Sequence, residues 1–244
     1  MPLKPSSTSR TAETYRNLRD AIVQARLLPG ERLKIDDLSA AFEASSGAVR
    51  EALSRLTAEG LVKAEPQKGF EVAPISRKDL IQLTEVRITV EGLCLQDAIR
   101  HGTVEWEARV LSTRHQLNAL AKARLHPETD QGKKWPVLHM EFHDALVSAC
   151  RNDVWLEIRQ ALYIRSERYR RMSGPVEGSG RSVEQEHNAI ADAALARDAK
   201  AAKAAMKFHL EKTTEILLNS SIPFQEAESD GADPRRAELS LVRP

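Results

Sequence analysis

Residues 45–60, with the sequence SSGAVREALSRLTAEG, restrict the fold more than any other stretch of this chain. Apolar side chains recur there at intervals of three and four residues, which is the period of one helix face. Ser45 or Ser46 can cap the start of this helix, and Gly60 is typical of the residue that follows one. The opposite face carries hydroxyls and guanidinium groups, at Ser46, Arg50, Ser54 and Arg55. Such a face can lie in a groove of DNA, although a core helix with a solvated face has the same pattern.

The segments before this helix favour the DNA-binding interpretation. Residues 11–28 have helical periodicity that ends at Pro29, and residues 36–43 form a second, shorter amphipathic segment. A brief turn then leads into the helix of residues 45–60. This is the spacing of a helix-turn-helix motif, whose second helix enters the major groove.

The segments after this helix predict a wing. Residues 61–65 and 70–72 have the character of two short strands around a turn that contains Pro and Gly. The whole order predicts a winged helix-turn-helix domain over residues 11–74. Its wing tip, Lys68 and Gly69, brings a cation and an unobstructed backbone toward phosphate or the minor groove.

Composition narrows the function classes. The chain has 244 residues, of which 41% are hydrophobic and 29% charged, an ordinary globular composition with room for two domains. No apolar run approaches the ~20 residues that a membrane helix needs, and residues 1–10 are expected to be a disordered arm rather than a signal peptide. Cys94 and Cys150 lie in apolar helical patterns and are predicted to be buried thiols in a reducing cytosol. The net charge is only +1, so DNA affinity must come from charges placed on one face.

The chain after Pro74 shows helical patterns only. Ser76 and Ser182 each begin a capping box, and the patterns predict an all-helical antiparallel bundle over residues 76–221. The predicted helices cover residues 76–100, 103–124, 135–150, 153–172, 182–196 and 198–219. A Gly- and Pro-rich flexible loop is expected at 173–180 and a disordered tail at 222–244. The predicted fold is thus mostly α.

Four histidines of the bundle have a spacing that suits a metal ion. His139 and His143 are four residues apart on one helix, so their rings emerge on the same face. His187 and His209 lie on later helices, which an antiparallel bundle can bring to the same axis. Imidazole suits Zn²⁺, Ni²⁺, Cu²⁺ or Fe²⁺. From spacing alone, unrelated core histidines remain the alternative.

The first helix of the bundle carries one charge, Arg87, on an otherwise apolar stripe. A guanidinium at such a position can pair with Glu91, four residues later on the same helix. It can instead face a bound anion through a bidentate contact. The sequence leaves both interpretations open.

Both parts of the chain resemble one known family. The segments PGERL, VREALSRLTAEGLV and KGFEV are similar to the N-terminal winged helix of the GntR family of bacterial transcription regulators. The segments LHMEFHDAL, EHNAIADA and AAMKFHL resemble motifs of the FCD domain, the helical effector-binding domain of the FadR-like branch. The resemblance covers residues 11–219.

The resemblance implies a regulator that reads operator DNA with the recognition helix and the wing. We assign DNA contact to the following positions: Arg32, Ser46, Gly47, Arg50, Arg55, Lys68 and Gly69. The family usually has Arg-Thr-Pro before Val-Arg, whereas this chain has Ser46-Gly47-Ala48, which removes an arginine contact with guanine.

Many FCD domains bind a metal through one Asp and three His. By resemblance the three are His143, His187 and His209, and His139 occupies the position of the Asp. Four neutral imidazoles leave the charge of the ion near +2, which attracts an anion. We therefore expect a divalent transition metal, Zn²⁺ or Ni²⁺, and a small carboxylate effector that coordinates it, with Arg87 as a second anchor.

The predicted function is a cytoplasmic, ligand-responsive regulator, a homodimer and repressor that binds double-stranded operator DNA and no membrane. A helical metalloenzyme is the alternative from another class, but the chain has no H-E-x-x-H or G-x-S-x-G motif. A third possibility keeps the DNA-binding domain and leaves the histidines without metal.

Overall fold

The computed structural model describes residues 7–173 and 182–224 and confirms a mostly helical protein with a small antiparallel sheet. The first part is a winged helix with the elements α1 (Ser7–Val23), β1 (Arg32–Leu33), α2 (Ile35–Ala41), α3 (Ser46–Ala58), β2 (Val62–Glu65) and β3 (Gly69–Val72). The second part contains α4 (Arg77–His101), α5 (Val104–Ala119), a 3-10 turn (Ala123–Leu125), α6 (Asp130–Val147), α7 (Asp153–Met172), α8 (Val183–Leu195) and α9 (Ala199–Leu218). No helix of the described ranges is long and apolar enough to cross a membrane.

Helix α3 forms where the spacing of its apolar residues predicts it. The Ser45 hydroxyl accepts a hydrogen bond from the Ala48 N–H at 3.3 Å, and Gly60 follows the helix with a φ of 70°. One apolar face is buried against α1, with the side chains of Leu18, Ile22, Val49, Ala52, Leu53 and Leu56. This packing leaves the polar face of α3 in solvent.

The wing is a three-stranded sheet in the order β1-β3-β2. Strands β2 and β3 pair antiparallel, with Ala64 opposite Phe70, as the sequence predicts for a hairpin. Gly69 has a φ of 90°, a conformation that favours glycine. Strand β1 was not predicted, because two residues are too short to show alternation; it places Arg32 opposite Glu71.

Several predicted boundaries are wrong. Helix α1 begins at Ser7, inside the arm predicted over residues 1–10, since neither Gly nor Pro interrupts the chain between Ser7 and Val23. It ends before Ala25, which has a φ of 55°, rather than at residue 28. Helix α5 ends at Ala119, and a 3-10 turn replaces its predicted last turn. Residues 1–6 lie outside the described part of the chain.

Helix α6 begins earlier than predicted. The Thr129 hydroxyl accepts from the Gly132 N–H at 3.0 Å and caps the helix, so Pro136 lies inside it rather than at its start. The predicted tail also begins too early, because Ile222 is buried against Ile75 and Leu217. The loop predicted at 173–180 falls, apart from its first residue, outside the described residues, as do residues 225–244 of the tail.

The bundle buries a continuous apolar core between α4, α5, α6, α8 and α9. Cys94 and Cys150 lie in this core as free, buried thiols, which confirms their predicted burial. The caps predicted at Ser76 and Ser182 are present, each hydroxyl accepting from the N–H three residues later. The predicted cap at Ser182 therefore begins the helix that carries His187.

Helix α7 joins the two parts of the molecule. Its residue Ile164 packs into the apolar core of the winged helix. Arg168 donates to the carbonyl of Ala73, and Tyr169 donates to Asp79 at 2.6 Å. The same helix faces the bundle interior with Tyr163. A movement of α7 would consequently change contacts in both the winged helix and the helical bundle.

Candidate nucleic-acid interface and metal centre

The outer face of α3 presents the side chains predicted to meet DNA. Ser46, Gly47 and Arg50 are exposed near the start of the helix, and Ser54 continues the same face one turn later. Short residues at the entry let the helix approach a groove closely, and Arg50 can reach a base edge or a phosphate.

Arg55 lies elsewhere on α3. Its guanidinium stacks 4.0 Å from the centre of the Tyr15 ring, and the Tyr15 hydroxyl donates to Glu59. Arg19 also pairs with Glu59, at 3.1 Å. In this position Arg55 fastens α3 to α1 and would have to leave Tyr15 to contact DNA.

The lysines at the wing are paired with a carboxylate of the wing itself. Lys68 and Gly69 are exposed as expected, but Lys68 lies 3.2 Å from Glu65, which also accepts from Lys63 at 3.1 Å. Hydrogen bonds from Lys63 and then Lys68 lower the pKa of Glu65. Arg32, exposed on β1, completes the predicted set. Any phosphate that binds Lys68 must compete with this carboxylate.

Four imidazoles converge inside the bundle from three helices. His139 and His143 lie one turn apart on α6, His187 lies on α8 and His209 on α9. Each imidazole offers one ring nitrogen, and these four nitrogens all lie within 4.8 Å of one another. None of the four residues is more than 4% exposed. The structure thus brings together all four histidines that the sequence singled out.

Burial favours the neutral, metal-binding form of His139 and His143. The pKa of His139 lies well below its ordinary value because of burial and then of Arg170. The pKa of His143 is also lowered well below its ordinary value, by burial and then by the neighbouring imidazoles of His209 and His187. Neither ring nitrogen of His143 meets a hydrogen-bond partner within the described residues. A buried polar group without a partner is costly, and an ion would use its lone pair.

The donor set fits zinc or nickel in kind and in number. A tetrahedral zinc with bonds of about 2.0–2.1 Å needs nitrogens about 3.4 Å apart. The 4.8 Å limit shows that the side chains must draw together slightly around an ion. The site could hold a metal with four imidazoles, or with three and an open position.

Neighbouring side chains orient the imidazole rings of His209 and His139. Glu186 places a carboxylate oxygen 2.8 Å from Nδ1 of His209, which leaves Nε2 of that ring for an ion. The Trp135 ring stacks on His139, with centroids 4.7 Å apart. The Tyr163 hydroxyl lies 3.4 Å from Nδ1 of His139.

Arg87 is buried in a charged network between α4 and α7. It donates to Glu91 at 3.0 Å, the ion pair that the sequence left open, and to the Ser166 hydroxyl at 2.6 Å. Glu91 also accepts from Arg159 at 2.7 Å, and these two arginines outweigh burial and lower its pKa. Nε of Arg87 has no hydrogen-bond partner in the described part of the chain.

Comparison with known proteins decides the family. Residues 10–72 match the family described as bacterial regulatory proteins, gntR family, and residues 82–212 match the FCD domain. The chain belongs to the GntR family of transcription regulators. Members of this family are regulators rather than enzymes, so the metalloenzyme alternative is set aside.

The relatives of this GntR-family regulator cover most of its length. The HTH-type transcriptional regulator BphR of Paraburkholderia xenovorans LB400 is 38% identical, over 84% of this chain and 83% of its own. The HTH-type transcriptional repressor GlaR of Escherichia coli K12 is 32% identical, over 83% and 93%. A crystal structure of a GntR transcriptional regulator from Rhodococcus sp. RHA1 has 27% identity and a TM-score of 0.68, covering 86% of this chain and 98% of that one. These similarities confirm the two-domain architecture.

Sequence reasoning missed the polar face of α7 in this GntR-family regulator. The missed residues contact Glu91, His139 or Arg87 from successive turns: Arg159, Tyr163, Ser166 and Arg170. Their spacing of four, three and four residues is that of one helix face, so the helical period alone could have grouped them. Their partners on other helices lie 15 or more residues away in sequence and could not be read from it.

Proposed function

We propose that this GntR-family regulator is a cytoplasmic homodimer that represses transcription until a carboxylate effector binds at a metal in its FCD domain. The observation that carries the proposal is the set of four buried histidines, each of which offers one ring nitrogen within 4.8 Å of those of the others. The name of GlaR, a repressor, supports the sign of regulation. A dimer would place two recognition helices on the half-sites of a pseudo-palindromic operator.

The proposed metal is Zn²⁺ or Ni²⁺, held by His139, His143, His187 and His209. Four neutral imidazoles add no charge, so the ion keeps its positive charge and supplies an anchor for an anion. The unpartnered nitrogens of His143 support this proposal, because a histidine that is only structural would normally have its hydrogen bonds satisfied.

The proposed effector is a small carboxylate that reaches both the metal and Arg87. A narrow cavity of about 10 Å³ between α4, α7 and α9 is lined by Arg87, Ser166, Arg170, Thr213 and Thr214, with leucine side chains around them, so these side chains would move apart to admit a carboxylate. Arg87 keeps an N–H donor for an anion while it is paired with Glu91, since a guanidinium has five N–H donors and the Nε of Arg87 has no described partner.

The proposed operator contacts are made by the outer face of α3 and by the wing. Ser46, Gly47 and Arg50 are exposed together on α3, and Lys68 and Gly69 are exposed at the wing tip. Arg32 and Arg55 remain in the proposed set, with Arg55 dependent on release from Tyr15. Effector binding would alter DNA affinity only if it favours one arrangement of the two domains over another.

The first test measures the metal content of protein purified without chelator, and then the melting temperature with a panel of carboxylic acids. We expect one divalent transition metal per chain and an acid that raises the melting temperature. His143→Ala should abolish both results. His115→Ala, which removes a histidine of α5 outside the cluster, should leave both unchanged.

The outcome of this test separates the proposal from its alternative. Protein that holds no metal and takes up neither Zn²⁺ nor Ni²⁺ would mean a metal-free second domain. The winged helix would then still be expected to bind DNA selected from a random duplex library.

A further inference from the structure

A cleft lies at the joint between the wing and helix α7. Its volume of about 650 Å³ is within the range of small-molecule sites. It is bounded by one face of β2 and β3, by the connector at residues 73–76, by the start of α4 and by α7, with Arg165 and Arg168 on the last. The described residues that line it include none of the four clustered histidines. The cleft is thus separate from the proposed metal and effector site.

Arg168 differs from the other buried arginines of the described residues. Arg87, Arg159 and Arg168 are 7%, 3% and 5% exposed. The first two both pair with Glu91, at 3.0 and 2.7 Å. Arg168 forms no ion pair with any described carboxylate, and its one hydrogen bond runs from Nη2 to the carbonyl of Ala73. Its Nε and Nη1 therefore have no acceptor in the described part of the chain.

The carboxylates that line the cleft are engaged by other groups. Glu65 and Glu71 pair with lysines of the wing. Asp79 accepts from Arg165 at 2.8 Å and from the Tyr169 hydroxyl at 2.6 Å. None of these carboxylates lies within 4.0 Å of the buried guanidinium, the distance that defines an ion pair here. The cleft consequently contains a cation without a paired carboxylate.

This arrangement favours a bound anion. A guanidinium keeps its proton, and burial lowers the pKa of Arg168 without neutralising it. A buried charge without a paired counter-charge is costly. An anion in the cleft would accept hydrogen bonds from the remaining N–H groups of Arg168, and such bonds between charged partners are strong.

A phosphate group suits the site best. Arg165 lies one turn before Arg168 on α7 and lines the same cleft, so two guanidinium groups can flank one anion. The start of α4 also lines the cleft, and the N-terminus of a helix favours phosphate. A DNA double helix cannot approach a guanidinium that is only 5% exposed, whereas a small molecule can enter the cleft.

We propose that the cleft between the wing and α7 binds inorganic phosphate or a small phosphate monoester, with Arg168 and Arg165 as its charged contacts. The ligand would touch the connector, α4 and α7 at the same place and so strengthen the joint between the two domains. This site goes beyond the proposed function and does not depend on the proposed metal.

The test is isothermal titration calorimetry of the full chain with sodium phosphate, with sodium chloride at equal ionic strength as the blank. Arg168→Met should lower phosphate affinity about tenfold or more, the scale of a hydrogen bond to a charged group. Arg165→Met should lower it about threefold, the scale of an exposed charge pair. This second variant keeps the bond from Arg168 to Ala73 and tests the site if Arg168→Met does not fold. Arg100→Met, at an exposed position of α4, should bind like the wild type.

Asp79→Asn should act in the opposite direction. It removes the carboxylate that pairs with Arg165 and leaves that guanidinium for the anion. We expect phosphate affinity to rise about fivefold, the scale of one nearby unit charge in water. Glu85→Gln removes the same charge from an exposed position of α4 that does not line the cleft and should have little effect. A guanidinium that serves only to hold the joint would not produce this gain.

A non-specific duplex separates a small phosphate ligand from a phosphate of the DNA backbone. Arg168→Met should leave the salt dependence of duplex binding unchanged, whereas a shallower slope would assign Arg168 to DNA and overturn the proposal. The proposal also fails if the wild type binds no phosphate, or if Arg168→Met and Arg165→Met bind it as tightly as the wild type. Zn²⁺ binding is measured independently, so failure of this site is distinguishable from failure of the metal site.

Discussion

Arg168, near the end of α7, donates a hydrogen bond from Nη2 to the backbone carbonyl of Ala73, in the connector that follows the wing. Arg168 is buried at this joint, and its neighbour Tyr169 donates to Asp79 at the start of α4. The opposite face of the same helix holds Ser166 and Arg170 in the proposed effector cavity. Helix α7 thus connects that cavity to the DNA-binding domain through direct contacts.

Arg168→Met should weaken this joint and leave each domain folded. The variant leaves the Ala73 carbonyl without this hydrogen-bond donor, which is expected to cost about 1–3 kcal/mol of stability. Calorimetry should show one cooperative transition for the wild type and a separate, earlier transition for the winged helix in the variant. Arg100→Met, an exposed arginine on α4, is the matched control and should unfold like the wild type.

Arg50→Ala should weaken DNA binding more than Arg55→Ala does. Arg50 is exposed on the outer face of α3, and loss of a base or phosphate contact is expected to cost about tenfold or more in affinity. Arg55 is stacked on Tyr15, so its removal should mainly lower stability, by about 0.5–1 kcal/mol. Fluorescence anisotropy with a selected duplex and urea denaturation separate the two effects. The reverse order of DNA affinities would place Arg55 on the operator.

Glu65→Gln should strengthen DNA binding at low salt. The carboxylate of Glu65 holds Lys63 and Lys68, and its removal leaves Lys68 for phosphate while Lys63 keeps its pairing with Glu71 at 3.8 Å. The slope of log affinity against log salt should steepen by about 0.9 for each additional phosphate that the wing neutralises. Glu85→Gln, at an exposed position of α4, changes the net charge by the same amount and should leave the slope unaltered. An unchanged slope in Glu65→Gln would mean that the wing lysines do not meet phosphate.

The sequence predicted what depends on neighbouring residues and missed what depends on tertiary contact. Caps at Ser45, Ser76 and Ser182 act within one helical turn, so their hydroxyls were recognisable before the fold was known. The pairing of Arg170 with His139 spans 31 positions and two helices. Arg170 lies on the polar face of α7, and a sequence pattern normally assigns a polar helix face to solvent, which is why its contact was missed. The His cluster was foreseen because the family resemblance decided between the two interpretations that the spacing left open.

Both cysteines should be unreactive at pH 8 in the folded protein. Burial raises the pKa of Cys94 to about 12 and also raises that of Cys150. Because only the thiolate attacks, a raised pKa keeps both groups in the inert thiol form until the pH approaches that range. A chromogenic disulfide reagent should detect both thiols in denaturant and neither in native protein. Rapid reaction of one native thiol would show that the corner between α6 and α7 opens.

Glu186→Gln should weaken metal binding without removing a ligand. The carboxylate lies 2.8 Å from Nδ1 of His209, where it fixes the proton on that nitrogen and directs Nε2 toward the ion. Loss of such an outer partner is expected to lower metal affinity about 10- to 100-fold. Glu184→Gln, two residues earlier and exposed, removes the same charge from α8 without this contact. Competition with a chelator should therefore show a large loss of Zn²⁺ affinity for Glu186→Gln and little change for Glu184→Gln. Equal losses would mean that the carboxylate acts only through its charge, and no loss in either would remove His209 from the set of ligands.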